Sequence, residues 1–213
     1  TLAVDTSRMQ QDMSTWLSLY VGQYYSTIKS VAGAQAPGYL LFGVSPVGGW
    51  GAPPRRTVLQ AASPYLDVFT FGNIPPFICA NCADVQQRID FAAKYGGDKP
   101  WVNWEGFTAQ AGSYWAQAAA STDYVATQLQ RGQLYRQMLD GLLNAKDTGG
   151  TYHVVGSEWW AFYDSRGERA NWGLLDRRDD PYEDFVAEVQ DANWRLMLKL
   201  TDIVNSAQPG KRL

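Results

Sequence analysis

Met9, Met13, Trp16, Leu17, Tyr20, Val21, Tyr24 and Ile28 recur at spacings of three and four. Side chains at that period return to one face of a helix, so the spacing predicts an amphipathic helix over 9–32. Gly33 and Pro37-Gly38 close it. Tyr39-Leu40-Leu41-Phe42-Gly43-Val44 reads as a buried strand, followed by a Gly/Pro loop through Trp50 and Pro54. A short helix over 55–62 leads to a second strand, Leu66-Asp67-Val68-Phe69-Thr70-Phe71. A Pro-rich loop and a helix over 83–95 precede a third, in Lys99-Pro100-Trp101-Val102-Asn103-Trp104-Glu105-Gly106. After a long polar loop comes a helix over 124–146, with Leu129, Leu134, Met138, Leu142 and Leu143 on its apolar side. A fourth strand over 152–160 and a helix over 181–205 complete the pattern, with Pro181 suited to the first helical turn.

Strands that are near-continuous apolar runs, alternating with helices, predict an α/β chain with a parallel sheet covered on both faces. Four βα units follow one leading helix. A complete (β/α)8 barrel needs eight units and about 250 residues, and the chain has 213. With no low-complexity linker, 1–213 reads as a single domain or one half of one. The hydrophobic fraction of 46% belongs to a globular protein. A net charge of −3, with basic residues clustered no further than pairs such as Arg177-Arg178, does not suit nucleic acid. No run approaches the roughly 18 apolar residues of a membrane span. Residues 1–8 lack the charged and apolar regions of a signal peptide.

The third strand carries the strongest chemical signal. Glu105 is one of only five glutamates, and it ends a Trp-rich run at what would be the C-terminal tip of a strand. In a (β/α) barrel, active sites lie on the strand-to-helix loops at that end. Strand alternation places Trp101, Asn103 and Glu105 on one side, expected to face the barrel, and Val102 and Trp104 on the helix side. Trp50, Trp159, Trp160 and Trp172 fall at or near strand ends, where flat rings can stack on the apolar faces of sugars. Trp16, Trp104 and Trp194 read instead as core fillers. Glu158 reads as a salt-bridged strand residue, a substrate-hydroxyl acceptor or a substitute carboxylate. His153, the only histidine, begins the fourth strand and reads as structural; Asp164 and Asp176 read as loop-fixing carboxylates.

Cys79-Ala80-Asn81-Cys82 reads first as a small disulfide stapling the loop, which would fit a secreted or periplasmic enzyme. Free thiols are an alternative, and so is a thioredoxin-type redox pair at a helix N-terminus. The pair with one distant His cannot complete a four-ligand zinc site. No metal or other cofactor is expected.

Taken in order, these segments resemble the C-terminal half of a clan A glycoside hydrolase, the retaining (β/α)8 enzymes, and within it the agarase-like branch. Tyr39-Leu40-Leu41-Phe42-Gly43 resembles the fifth barrel strand, and 65–73 the sixth, which often ends near an Asn, here Asn73. Lys99 through Glu105 is similar to the seventh, whose terminal Glu is the nucleophile in that clan. Residues 156–164 resemble the eighth, with a Trp that floors the sugar site. Asn171-Trp172-Gly173-Leu174-Leu175-Asp176, with Pro181-Tyr182, resembles the closing loop and helix.

The resemblance implies a retaining glycosidase acting on a β-linked polysaccharide or oligosaccharide, such as an agar-type galactan. Glu105 would be its nucleophile, and Trp50, Asn73, Asn103, Glu158, Trp159, Trp160 and Trp172 its substrate contacts. These enzymes carry the acid/base Glu after an Asn on the fourth strand, and no Asn-Glu pair occurs here. Retaining hydrolysis needs two carboxyl groups about 5–5.5 Å apart. The expected partner is therefore an N-terminal half-barrel, on the same polypeptide or another chain, that supplies the acid. A non-catalytic carbohydrate-binding protein on a degenerate barrel is the alternative, and a C-x-x-C redox protein a further one.

Overall fold

The computed structural model describes residues 5–43, 56–72, 83–106, 109–110, 124–159, 161–164 and 171–207. The elements run α1 (Thr6–Gln35), β1 (Phe42–Gly43), α2 (Arg56–Ala62), β2 (Val68–Gly72), α3 (Ala83–Gly96), β3 (Trp101–Gly106), β4 (Ala109–Gln110), β5 (Tyr124–Val125), α4 (Gln128–Asn144), β6 (Val154–Trp159) and α5 (Glu183–Ala207). The protein is α/β, with a four-stranded parallel sheet in the order β1-β2-β3-β6. These four strands fall within the expected apolar runs, but β1 keeps only Phe42–Gly43, and Tyr39, Leu40 and Phe42, expected in a buried strand, are exposed. The chain forms two compact units, 1–74 with 83–104 and 145–158, and 75–82 with 105–144 and 159–213.

In the first unit, Asp5 caps α1 by accepting from the Arg8 N–H at 3.0 Å. The helix is longer than the periodicity implies, and only Val21 on it is fully buried. Met9, Met13, Trp16, Tyr20 and Tyr24 are all more than half exposed or close to it, so most of the predicted core stripe of α1 faces outward. The half-buried face is the one through Leu17, Tyr25 and Ile28. Lys29, on that side, clamps Asp67 at the entrance to β2, with Nζ–O distances of 2.9 and 2.7 Å. Asp67 also accepts from the Leu41 N–H at 2.8 Å, which ties β1 to β2.

Phe69 is fully buried against α3, and a Cβ placed on Gly96 would come within 2.4 Å of its ring. Such burial contributes roughly 1.5–3 kcal/mol for a side chain of this size. In register, Phe69 pairs with Trp101 and with Gly43. Paired residues of a parallel ladder share a face, so Trp101 takes the same side of the sheet as Phe69 and Gly43. Trp101 stacks on His153, with centroids 5.2 Å apart.

In the second unit, α4 and α5 pack through Tyr135, Met138, Leu142, Phe185, Val189 and Ala192. Gly132 permits the close crossing, since a Cβ there would sit 2.2 Å from the Glu188 Cβ. Arg136 bridges to Glu188 and Asp191 at 2.8 and 2.5 Å. Leu129, expected on the apolar side, is exposed, and the first turn of the buried face is occupied by Arg131.

Two helix starts differ from the sequence expectation. Tyr124–Val125 pairs in parallel with Ala109–Gln110, and α4 begins only at Gln128. Thr127 Oγ1 accepts from the Gln130 N–H, and Gln130 Oε1 accepts from the Ala126 N–H. This Thr-x-x-Gln signature is a capping-box pattern that marks the boundary in the sequence. Pro181 lies before α5, bridged to Leu175, and the acidic pair Glu183-Asp184 fills the first turn, where the helix dipole favours negative charge. Trp194 is 66% exposed, not a core filler. No helix among the described residues is long and apolar enough to cross a membrane.

Candidate functional site

Glu105 is the fifth residue of β3, one position before the strand ends. Its side chain, like that of Trp104, lies outside the described part, as do Trp50, Asn73, Trp160, Cys79 and Cys82. The expected disulfide therefore falls on residues the structure does not describe.

In the first unit Asn103 is buried, and its Nδ2 donates to Ser157 Oγ at 3.0 Å. That bond joins two neighbouring strands near the ends that carry the candidate residues. Glu158 follows on β6 and is exposed. At the opposite end of the strand, His153 is buried with Nε2 2.9 Å from Asp147 Oδ2 and Nδ1 3.2 Å from the Lys99 carbonyl. Hydrogen bonding to His153, then to the Thr151 N–H, holds the Asp147 carboxyl below its ordinary range. This histidine pins the start of β6 to the loop before β3, the structural role expected of it.

The second unit brings Trp159 and Trp172 together. Trp159 ends β6, and its ring meets Tyr135 edge-on at 5.4 Å and Phe185 at 5.1 Å. Its indole Nε1 donates to the carbonyl of Trp172 at 2.9 Å. The same carbonyl accepts from Arg131 Nη2 and from the Ala161 N–H. Around it, 161–164 and 171–176 are knitted by backbone bonds, Leu174 N–H to the Phe162 carbonyl and Asp164 N–H to the Leu175 carbonyl among them.

Asp164 is buried, accepting from the Gly173 N–H at 2.7 Å and from the Tyr182 phenol at 2.6 Å. Asp176 accepts from the N–H groups of Arg178 and Asp180. Both are the loop-fixing carboxylates expected. Burial first, and then the bond to Asp164, pushes the Tyr182 phenol well above its ordinary range. Burial likewise raises Tyr135 to about 12.

Arg131 is the residue that pattern reading missed. Its guanidinium is fully buried, 4.0 Å from the Phe185 ring centroid and 5.6 Å from those of Trp159 and Tyr182. Nη1 donates to Gln128 Oε1 at 3.0 Å. Burial pulls its pKa down to about 9, opposed by the charge of Asp164, so it remains a cation at neutral pH. A fully buried cation must be paired and hydrogen-bonded. The carbonyl of Trp172, Gln128 and the aromatic faces meet that need, and Asp164 balances the charge. The available signal was an arginine at the head of the 131, 135, 138, 142 spacing.

No protein-family model and no curated protein sequence matches the chain. Solved structures do. An exo-beta-agarase is 25% identical with a TM-score of 0.71, over 93% of this chain and 25% of that one. Another agarase is 20% identical with a TM-score of 0.71, over 92% and 28%. A glycoside hydrolase family 17 beta-1,3-glucanosyltransferase from Rhizomucor miehei is 13% identical with a TM-score of 0.50, over 77% and 55%. The chain thus spans about a quarter of the length of these agarases. The likeness carried by the strand ends is found in the fold as well, and the chain is similar in architecture to an agarase-like part of a glycoside hydrolase.

Proposed function

We propose that 1–213 is the C-terminal half of the (β/α)8 domain of a retaining glycosidase, with Glu105 as nucleophile. The observation that carries this is a glutamate at the C-terminal end of a strand in a four-stranded parallel sheet, in a chain similar over 93% of its length to an exo-beta-agarase. Its substrate is a β-linked glycan, an agar-type galactan by that likeness. The acid/base carboxylate comes from an N-terminal half-barrel outside these residues. In retaining hydrolysis Glu105 attacks the anomeric carbon while the second carboxyl group protonates the leaving oxygen; water then releases the sugar. Glu105 must be ionised to attack. Asn73, Asn103 and Glu158 offer polar contacts to sugar hydroxyls, and Trp50, Trp160 and Trp172 offer stacking faces. Because three groups already crowd the Trp159 ring, its part is support. A Cys79–Cys82 disulfide would suit a secreted or periplasmic enzyme.

The need for a second half is supported by the sheet edges, β1 and β6. It is supported too by the apolar faces of α1 and α5, where Met13, Trp16, Tyr20, Trp194 and Met197 are exposed. Unpaired parallel edges and large apolar patches are what a folded chain covers.

The test uses residues 1–213 together with the N-terminal half-barrel that supplies the acid, on the same polypeptide or as a second chain. Glu105→Gln retains folding and oligosaccharide binding and lowers turnover roughly a thousandfold or more. A variant that keeps more than about a tenth of the rate overturns the assignment. Sugar binding without hydrolysis by the unmutated protein favours the non-catalytic carbohydrate-binding alternative.

A further inference from the structure

Trp172 sits in a tripeptide whose other two members are anchored. Asn171 is fully buried, and Gly173 gives its N–H to the buried carboxylate of Asp164. The Trp172 carbonyl takes three donors, from Trp159, Ala161 and Arg131, while the residue itself is only half-buried. One loop residue therefore has its backbone held by a buried cation, a half-buried indole and, through its neighbour, a buried carboxylate.

We propose that Arg131 is the positioning residue of a Trp172 platform for a pyranose ring. It works through the Trp172 carbonyl and through the face of Trp159. The proposal rests on the sugar-site reading above. Three properties of the guanidinium suit it to the task. It is planar, so it lies against Phe185 at 4.0 Å while its edge N–H groups point to the Trp172 carbonyl and to Gln128. It keeps its charge when desolvated, which strengthens both the bond to the carbonyl and the attraction to the aromatic faces. It belongs to a helix, so the loop inherits the rigidity of α4.

A lysine can supply the charge but neither the plane nor the fork of donors. Arg131→Lys should therefore keep the fold and loosen the platform. Tyr182→Phe is the companion variant. It retains the ring beside Arg131 and removes the phenol, which bonds Asp164, the anchor of Gly173, and also Asn171.

The experiment is a two-dimensional proton–nitrogen spectrum of the indole N–H groups in residues 1–213 together with the half-barrel proposed above, on the same polypeptide or as a second chain. Trp159→Phe and Trp172→Phe identify the two resonances. Without sugar, Arg131→Lys is expected to shift the Trp159 and Trp172 signals and leave those of Trp16 and Trp194 in place. Titrated with neoagaro-oligosaccharides, it should weaken binding about tenfold, with kcat changed less than KM. Tyr182→Phe should show the same pattern, smaller. Unshifted Trp159 and Trp172 signals, or sugar bound by Arg131→Lys as tightly as by the unmutated protein, overturn the role of Arg131 alone. If no galactan or glucan oligosaccharide perturbs the unmutated protein, the sugar-site reading falls, and with it the purpose assigned to Arg131.

Discussion

Lys29 Nζ lies 2.9 and 2.7 Å from the two carboxylate oxygens of Asp67, joining the long first helix to the residue that opens β2. The hydrogen bond from Lys29, then that from the Leu41 N–H, holds the Asp67 carboxyl below its ordinary value of 3.8. Asp147 beside His153 is lowered in the same way.

These lowered carboxyls set the acid limb of stability. The folded chain holds them as carboxylates at a pH where the unfolded chain takes up protons. Their contribution is complete above the ordinary value of 3.8 and disappears as pH falls through the lowered folded values. The alkaline limb runs the other way: Tyr135, raised from 10.0 to about 12, favours the fold below 10.0 and loses that contribution as pH rises toward 12. Urea midpoints measured across pH should fall at both ends. Asp67→Asn should flatten the acid fall and Tyr135→Phe the alkaline one. Unchanged pH profiles in both variants would contradict these assignments.

Gly96→Ala places a methyl group 2.4 Å from the ring of Phe69, which has no exposed surface through which to move. Overpacking of this kind typically costs about 1–3 kcal/mol. A shift of the urea midpoint by that amount is expected, and Phe69→Leu in the same chain should recover part of it. An Ala variant as stable as the parent would mean that α3 and β2 do not meet as described.

Trp16 and Trp194 are 56% and 66% exposed. Serine at either position should change the stability of residues 1–213 by no more than about 0.5 kcal/mol, as for surface sites in general. Those same substitutions should weaken association with an N-terminal half-barrel, measured by light scattering on the mixed segments. A large loss of stability in the isolated segment would instead restore both rings to the core.

Apolar runs alternating with helical periods determined the class of this protein, because a strand buried on both faces must be apolar throughout and a helix packed on a sheet must be apolar on one side. The four strands of the sheet, the structural part of His153 and the loop-fixing parts of Asp164 and Asp176 were legible on that basis. Which apolar face is buried was not. Met13, Trp16 and Tyr20 have the period of a core stripe, but periodicity reports only that a helix has an apolar side. Which neighbour covers that side is a matter of tertiary contact. The same holds for the faces of β3. Alternation groups Trp101 with Asn103, yet what each meets, Phe69 and His153 at Trp101 and Ser157 at Asn103, is decided by strand register. Arg131 is the sharpest case. A charge in an apolar stripe reads as a solvated position. Here residues distant in sequence, Asp164, Trp172, Tyr182 and Phe185, enclose it with an anion, a carbonyl and two aromatic faces, and so meet the cost of burying it.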